Sequence, residues 1–295
     1  MSVRIIQDKL DSYHCKSTQE EDFALKEITQ ELVLNSLYNA GFFKRAAFHG
    51  GTALRILHGV MRFSEDLDFA LVEPDPHFDL GTYLAAIPAE LKAFGYDLKI
   101  AGRSSAGAVK SVFLKDDSLG RILNIRFPKL DGFRRSVKIK LEVDTNPPAG
   151  ANVEMKFLDF PINYSVTAHD LPTLFAGKSH ALLCREYTKG RDWFDFLWYV
   201  NRRVSPNFRF LSNALNQVGA WRDKEPNVDR NWYLKEVAKR IKKVKWDQAK
   251  ADMERFLRPI DVKTLELWDE KFFLHNLSQW AELVLGTTNQ PSPQV

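Results

Sequence analysis

The sequence predicts an α/β fold of the α+β kind: a mixed sheet with helices in the N-terminal half, then a C-terminal half built of helices. Three observations carry this expectation. Short apolar runs with two-residue alternation recur from residue 45 to residue 168. After Leu171 the apolar period lengthens to that of helices. The change falls near residues 165 to 172, so the expected division is an α/β domain at 1–168, a helical domain at 169–286 and a disordered tail at 287–295. The tail, within GTTNQPSPQV, is polar and carries two prolines.

Taken in order, residues 20–40 read as an amphipathic helix, with Phe23, Ile28, Leu32 and Leu37 at helical spacing and Gly41 as its stop. RAAFHG is a short apolar strand that ends at glycines, and Thr52 is placed to cap a helix running to Gly59. SEDLDFALVE reads as a strand that Pro74 and Pro76 break. Residues 79–94 are expected to be helical despite Pro88. Strands are then expected at YDLKIAG, KSVFLK, RILNIRF, SVKIKLEVD and NYSVTA. In the C-terminal half, TLFAGKSHALLCREY and RDWFDFLWYVNRR flank a Lys189-Gly190 turn, and further helices are expected over 205–219, 228–245, 247–257 and 261–285.

Composition narrows the function classes. At 295 residues and 44% hydrophobic content, the chain can bury a proper core. No apolar run reaches the length of a membrane helix, and MSVRIIQDKLDSYH has no signal-peptide core, so the expected compartment is the cytoplasm, with no membrane partner. Cys15 and Cys184 lack metal spacing and are expected to be free thiols; the scattered histidines do not suggest zinc. Net charge is +4, yet residues 201–250 hold 13 Lys and Arg against 5 Asp and Glu, a net of +8 that leaves −4 for the rest. Such a basic segment fits either a solvated helix face or an anionic partner such as nucleic acid.

The informative stretch is FHGGTALRILHGVMRFSEDLDFAL. On a strand, Asp66 and Asp68 project to one face while Leu67 and Phe69 face the other. Two adjacent carboxylates repel, and a cation between them relieves the repulsion; hard oxygen donors suit Mg²⁺ or Mn²⁺. Gly50 and Gly51 allow close backbone approach to a triphosphate, Thr52 adds a hydroxyl, and the N-terminus of the following helix offers free N–H groups. Arg62 and Ser64 are further candidate phosphate contacts, whereas Glu65 should point away from Asp66. A phosphate cradle beside a metal pair points to phosphoryl or nucleotidyl transfer from an NTP.

This order of glycines, short helix and Asp-x-Asp resembles the signature of the DNA polymerase β-type nucleotidyltransferase superfamily. The fuller GGTAL and RFSEDLDFAL blocks are similar to the AbiEii-type nucleotidyltransferase toxins, with which the MenT-type toxins belong. The resemblance spans about Phe23 to Val200. It implies a nucleotidyltransferase core, with Asp66 and Asp68 as catalytic metal ligands and a third carboxylate on a nearby strand. In SVKIKLEVD, Lys138, Lys140, Glu142 and Asp144 share one face, so Glu142 or Asp144 could fill that place; ion pairs on an exposed strand face would explain the pattern equally well. A second block, an A-x-K helix then R-D-x-x-D, matches Ala176, Gly177 and Lys178, and Arg191, Asp192 and Asp195. By resemblance Lys178 would hold nucleotide phosphates and Asp192 would be a catalytic or positioning acid. For Asp195 an ion pair with Arg191 is the competing expectation, and Gly177 within a helix suggests a bend or a tight contact.

The resemblance further implies transfer to an RNA acceptor, the 3′ end of a tRNA, and restraint by a cognate antitoxin protein. Lys235, Lys239, Lys242, Lys243 and Lys245, with Arg202, Arg203 and Arg209, would then meet RNA phosphates, and Trp232 and Trp246 either stack on bases or pack in the core. Two other readings stand beside it: transfer to a small molecule or protein, and a non-catalytic GTP- or RNA-binding module.

Overall fold

A computed structural model describes residues 2–104, 107–118, 123–127 and 136–286. The expected disordered tail at 287–295 lies outside these residues. The chain forms two compact units. The first comprises residues 1–59, 63–147 and 153–169; the second comprises Val60–Arg62, Pro148–Asn152 and residues 170–295.

The first unit is built on a seven-stranded sheet: β1 (Ala46–His49), β2 (Leu67–Leu71), β3 (Lys99–Ser104), β4 (Val109–Asp116), β5 (Val137–Asp144), β6 (Val153–Leu158) and β7 (Tyr164–His169), in the spatial order β3-β4-β5-β2-β1-β7-β6. β2 runs parallel to β5 and β1 parallel to β7, while the other neighbours are antiparallel, so the sheet is mixed as expected. One face carries Phe48, Leu67, Phe69, Leu141, Val143, Val166 and Ala168, all buried. Two helices precede the sheet: α1 (Ser2–Ser12), which the sequence reading missed, and α2 (Thr18–Asn39). Ser17 caps α2 by accepting from the Glu20 amide at 3.2 Å. Gly41, with φ of 75°, follows its end in the left-handed region that glycine adopts freely. The Tyr164 hydroxyl donates to the Glu31 carbonyl at 3.0 Å, tying α2 to β7.

Helix α3 (Gly50–His58) starts two residues before Thr52, with His49 as its cap, so Thr52 is not the cap the sequence suggested. Residues 79–94 form two short helices, α4 (Gly81–Leu84) and α5 (Ile87–Lys92), with Pro88 in the first turn of α5, where its missing N–H costs nothing. The strand expected at RILNIRF is absent from its described residues, 123–127. Their amides turn instead to side chains: Arg126 donates to Glu21 at 2.9 Å, Phe127 to Glu21 at 3.3 Å and Asn124 to Gln7 at 2.8 Å. A buried carboxylate on α2 thus replaces a neighbouring strand as acceptor. β6, conversely, is a strand where the sequence carries no such expectation.

The second unit is helical: α6 (Leu171–Cys184), α7 (Gly190–Asn201), α8 (Phe208–Gln217), α9 (Arg230–Ile241), α10 (Trp246–Glu254) and α11 (Glu270–Gly286). Asp170, Asn207 and Asp229 cap α6, α8 and α9 by accepting backbone N–H bonds. The single helix expected over 261–285 is a 3₁₀ turn (Val262–Leu267) followed by α11, separated at Trp268. Trp193, Trp246, Trp268 and Phe273 form the aromatic core; Trp246 stacks on Phe273 at 4.2 Å between centroids. Trp246 is therefore a packing residue.

Candidate active site

The glycine turn and the carboxylates meet at one end of β1 and β2. β1 ends at His49, and the chain turns into α3 through Gly50, whose φ is +78°. A Cβ on Gly50 would run into the Asp68 Oδ2 and come within 3.0 Å of that residue's Cβ and Cγ. Only a glycine accommodates both the backbone angle and the adjacent carboxylate. No side chain caps α3, and no acidic residue lies in its first turn, which leaves its N-terminal field suited to an anion.

Thr52 is fully buried, and its hydroxyl donates to the main-chain carbonyl of Asp66. That bond ties α3 to the residue just before β2. The strand itself begins at Leu67, shorter than the SEDLDFALVE expected, so Ser64 and Asp66 lie in the connection leading into it. Other bonds fix the same connection. Gln30 Nε2 donates to the Ser64 carbonyl at 3.3 Å, Lys26 pairs with Glu65 at 3.2 Å, and Phe63 stacks on Phe23 at 4.6 Å. Glu65 is thus turned toward α2.

Across the sheet, one register line gathers the polar side chains. His49 pairs with Asp68, Asp68 with Glu142, and Glu142 with Ser111. Partners in register project from the same face. The neighbours in sequence, Phe48, Leu67, Phe69, Leu141 and Val143, fill the opposite, buried face. The two open candidates on β5 are thereby separated: Glu142 lies abreast of Asp68, whereas Asp144 lies abreast of Ala70 and accepts from the Asn146 amide at 2.9 Å, closing a turn. Lys140 pairs with Glu142 at 2.7 Å. Its ammonium is stabilised chiefly by that hydrogen bond and further by the charges of Glu142, Asp66 and Asp68. At the other end of the line, the His49 and His169 rings stack at 5.3 Å; burial, then His49, pull the His169 pKa down to about 3, so this imidazole is neutral.

The second block forms a buried ion network within the helical unit. Lys178 on α6 bonds Asp192 and Asp195 on α7, each at 2.8 Å. Asp195, fully buried, accepts both Nε and an Nη of Arg62 at 2.6 Å, and Arg185 pairs with Asp192. Burial opposes the charge of Lys178, but Asp192 and Asp195 outweigh it and hold its pKa up; burial likewise opposes Asp195, and Arg62 and Lys178 hold its pKa down. Arg62 is 1% exposed and engaged with Asp195, so it is not placed to meet a phosphate as the sequence suggested. The Arg191 guanidinium lies 4.0 Å from the Phe256 ring centroid. Arg62 was read as local to the Asp-x-Asp stretch; 133 residues separate it from Asp195, and no spacing rule reaches that far. A Cβ on Gly177 would meet nothing within 4 Å, so the tight contact expected there is absent.

The sequence model of one family, described as "Nucleotidyl transferase AbiEii toxin, Type IV TA system", matches residues 32–274. The chain belongs to the AbiEii nucleotidyltransferase toxin family. Among solved structures it is similar to MenT4, the nucleotidyltransferase toxin Rv2826c of Mycobacterium tuberculosis H37Rv, with 13% identity, 99% of this chain and 91% of that one covered, and a TM-score of 0.60. It is also similar to JHP933 from Helicobacter pylori, with 16% identity, coverage of 89% and 94%, and a TM-score of 0.54. No curated protein matches. At these identities the likeness shows a shared fold. Membership in the AbiEii family makes the chain a nucleotidyltransferase with an NTP as substrate and an antitoxin as the family's implied partner. Among the described residues, no helix is long and apolar enough to cross a membrane.

Proposed function

We propose that this AbiEii-family enzyme transfers a nucleotide from an NTP to the 3′ end of a tRNA, using a divalent ion, Mg²⁺ or Mn²⁺. The observation that supports it most is the register of Asp68 with Glu142, beside Asp66 and the uncapped start of α3. The donor set suits a hard ion of this kind. We assign the protein's share of the ligands to the pair Asp66 and Asp68. Two carboxylates with substrate phosphates and water are what Mg²⁺ usually accepts. Bound there, the ion would supply charge stabilisation at the α-phosphate.

The chain's own residues carry the rest. Gly50 and Gly51, with the first amides of α3, receive phosphate oxygens, and Gly50 leaves room for Asp68 to face the same space. Ser64 is the hydroxyl nearest in sequence for a further phosphate contact. Thr52 acts by holding the Asp66 backbone, since its proton is given to that carbonyl. Glu142 is assigned as the third carboxylate, accepting the proton of the attacking hydroxyl, and Lys140 as the cation that keeps Glu142 oriented. Asp144 is assigned to the turn that ends β5. In the second unit, Lys178 is assigned as an anion-holding cation and Asp192 as the acid that positions it. Pyrophosphate departs as the acceptor oxygen bonds to the α-phosphorus. The proposed site of action is the cytoplasm.

The test incubates the protein with Mg²⁺, each of four α-³²P-labelled NTPs and total cellular RNA, beside the Asp66→Ala/Asp68→Ala variant. Label in tRNA-sized bands, lost in the variant, is the expected result. Label in protein or a small product instead would overturn the RNA acceptor, and NTP binding without any transfer would point to a binding module.

A further inference from the structure

We propose that the free edge of β6 is a self-association surface, pairing antiparallel with β6 of a second copy about a two-fold axis at Met155. β6 is the last strand of the sheet and pairs only with β7 among the described residues. An open edge of this kind is usually guarded by charge, proline or a bulge. Here the residues are apolar and exposed: Val153 at 45%, Met155 at 64% and Phe157 at 78%.

Hydrogen-bond phase shows which groups the edge offers. In the antiparallel register Val153 lies opposite His169, and just beyond it the Asp170 amide donates to the Asn152 carbonyl at 3.1 Å. Residues 152 and 170 are therefore a hydrogen-bonded pair, and alternate residues of β6 repeat that role. Glu154, Lys156 and Leu158 turn their main-chain groups to β7. Val153, Met155 and Phe157 turn theirs to the open edge. The apolar side chains and the free main-chain donors thus belong to the same three residues.

The sequence of the strand is complementary to itself. With Met155 opposite Met155 of the second copy, Val153 falls opposite Phe157, and Glu154 opposite Lys156, on both sides of the axis. Glu154 and Lys156 already pair within one strand at 3.1 Å, on the face away from the apolar residues. In the pair of strands they make an alternating square of charge, while the other face joins Val153, Met155 and Phe157 of both copies into one apolar patch. A shift by one residue would set an apolar side chain against a charged one. A second copy fits this edge for these reasons, and two-fold isologous contacts are the commonest form of self-association. The contact is a strand pair and little more, so the association should be reversible, as small interfaces are.

The test measures mass against concentration by sedimentation equilibrium on the full chain. Wild type should pass reversibly from monomer to dimer. Met155→Lys and Met155→Glu each set like charges face to face and should raise the dimer dissociation constant at least about tenfold, or about 1.4 kcal/mol. Mixing the two variants should restore association as a heterodimer. Glu154→Lys should also weaken the dimer, and Glu154→Lys/Lys156→Glu should restore it. Unchanged melting curves would show that the variants are folded; should the Met155 variants fail that check, the Glu154 and Lys156 set decides alone. A wild-type chain that stays monomeric at every concentration overturns the proposal. So does a dimer indifferent to these substitutions, or a monomer in which RNA protects Phe157 instead.

Discussion

Gly50 and Gly177 stand in family blocks of equal prominence, yet their surroundings assign them opposite requirements. Gly50 combines positive φ with a carboxylate where a Cβ would lie. We expect Gly50→Ala to destabilise by about 1–3 kcal/mol through backbone strain and to displace Asp68. Thermal melts would register the first effect and a loss of transfer activity the second; a fully active, equally stable variant would refute the assignment. Gly177 is exposed, helical and has open space around it. Gly177→Ala should stabilise by about 1 kcal/mol, seen as a higher midpoint in urea, because alanine restricts the unfolded chain and favours the helix. Glu31 is legible only in three dimensions. Burial first, then Glu27 and Asp159 against the opposing Lys9, leaves its pKa raised to about 7 from an ordinary 4.5. A raised carboxylate binds more protons folded than unfolded, so its contribution to stability is full below pH 4.5 and falls as pH rises to 7. The melting temperature of wild type minus that of Glu31→Gln should therefore decline over that window and level off above it.

At the scale of elements, the ion network joining α6, α7 and the Val60–Arg62 segment gives the second unit its polar core. Arg62, Asp192 and Asp195 are buried there, and such charges are tolerated only with their partners. Arg62→Leu removes the bidentate partner of Asp195 and should cost about 3–5 kcal/mol; Asp195→Leu together with Arg62→Leu should cost less than the sum of the two singles. A chemical-denaturation cycle measures this, and additive losses would deny the coupling. Asp195 keeps its pKa low because Arg62 and Lys178 outweigh burial, so the network's contribution is present above the ordinary Asp range and is lost as pH falls through the depressed folded value. Elements of this kind were legible where chemistry repeats locally. Apolar periods and the Gly-Gly-to-Asp-x-Asp order read directly, and β1 and β5 emerged near their true bounds, whereas the cap of α3 and the extent of β2 did not. What escaped depended on partners distant in sequence. RILNIRF has strand composition, but its amides go to Glu21 and Gln7. β6 alternates Glu and Lys with Met and Phe, yet lies on an edge where its apolar face stays in water. Glu142 and Asp144 share a face, and the register adds which residue of β2 stands beside each: Asp68 beside Glu142 and Ala70 beside Asp144.

For the whole molecule, charge segregation is the property that bears on the proposed RNA acceptor. Much of the basic charge in residues 201–250 stays exposed after folding. Lys235, Lys239, Lys242, Lys243 and Lys245 are exposed, as are Arg202, Arg203 and Arg209, although Lys239 also pairs with Glu236 at 2.6 Å and Arg202 lies 3.9 Å from the Trp198 ring centroid. Trp246, by contrast, is committed to the core, and Trp232 lies edge-to-face with Trp221 at 5.5 Å between centroids. The helical unit therefore offers phosphate contacts in abundance and little base-stacking surface from these two tryptophans. Binding through it should be strongly salt-dependent and weakly sequence-dependent. With single-stranded RNA, the logarithm of affinity should fall with the logarithm of salt at a slope of roughly −0.7 for each phosphate neutralised. Lys242→Glu/Lys243→Glu should flatten that slope by about one to two units while leaving NTP affinity unchanged, because in the proposed reaction these lysines would meet the RNA acceptor and lie outside the carboxylate site. A filter-binding titration across 50 to 200 mM salt, with NTP affinity measured in parallel, separates the outcomes. An unaltered slope would remove this surface from acceptor binding and transfer the selection of RNA to the first unit.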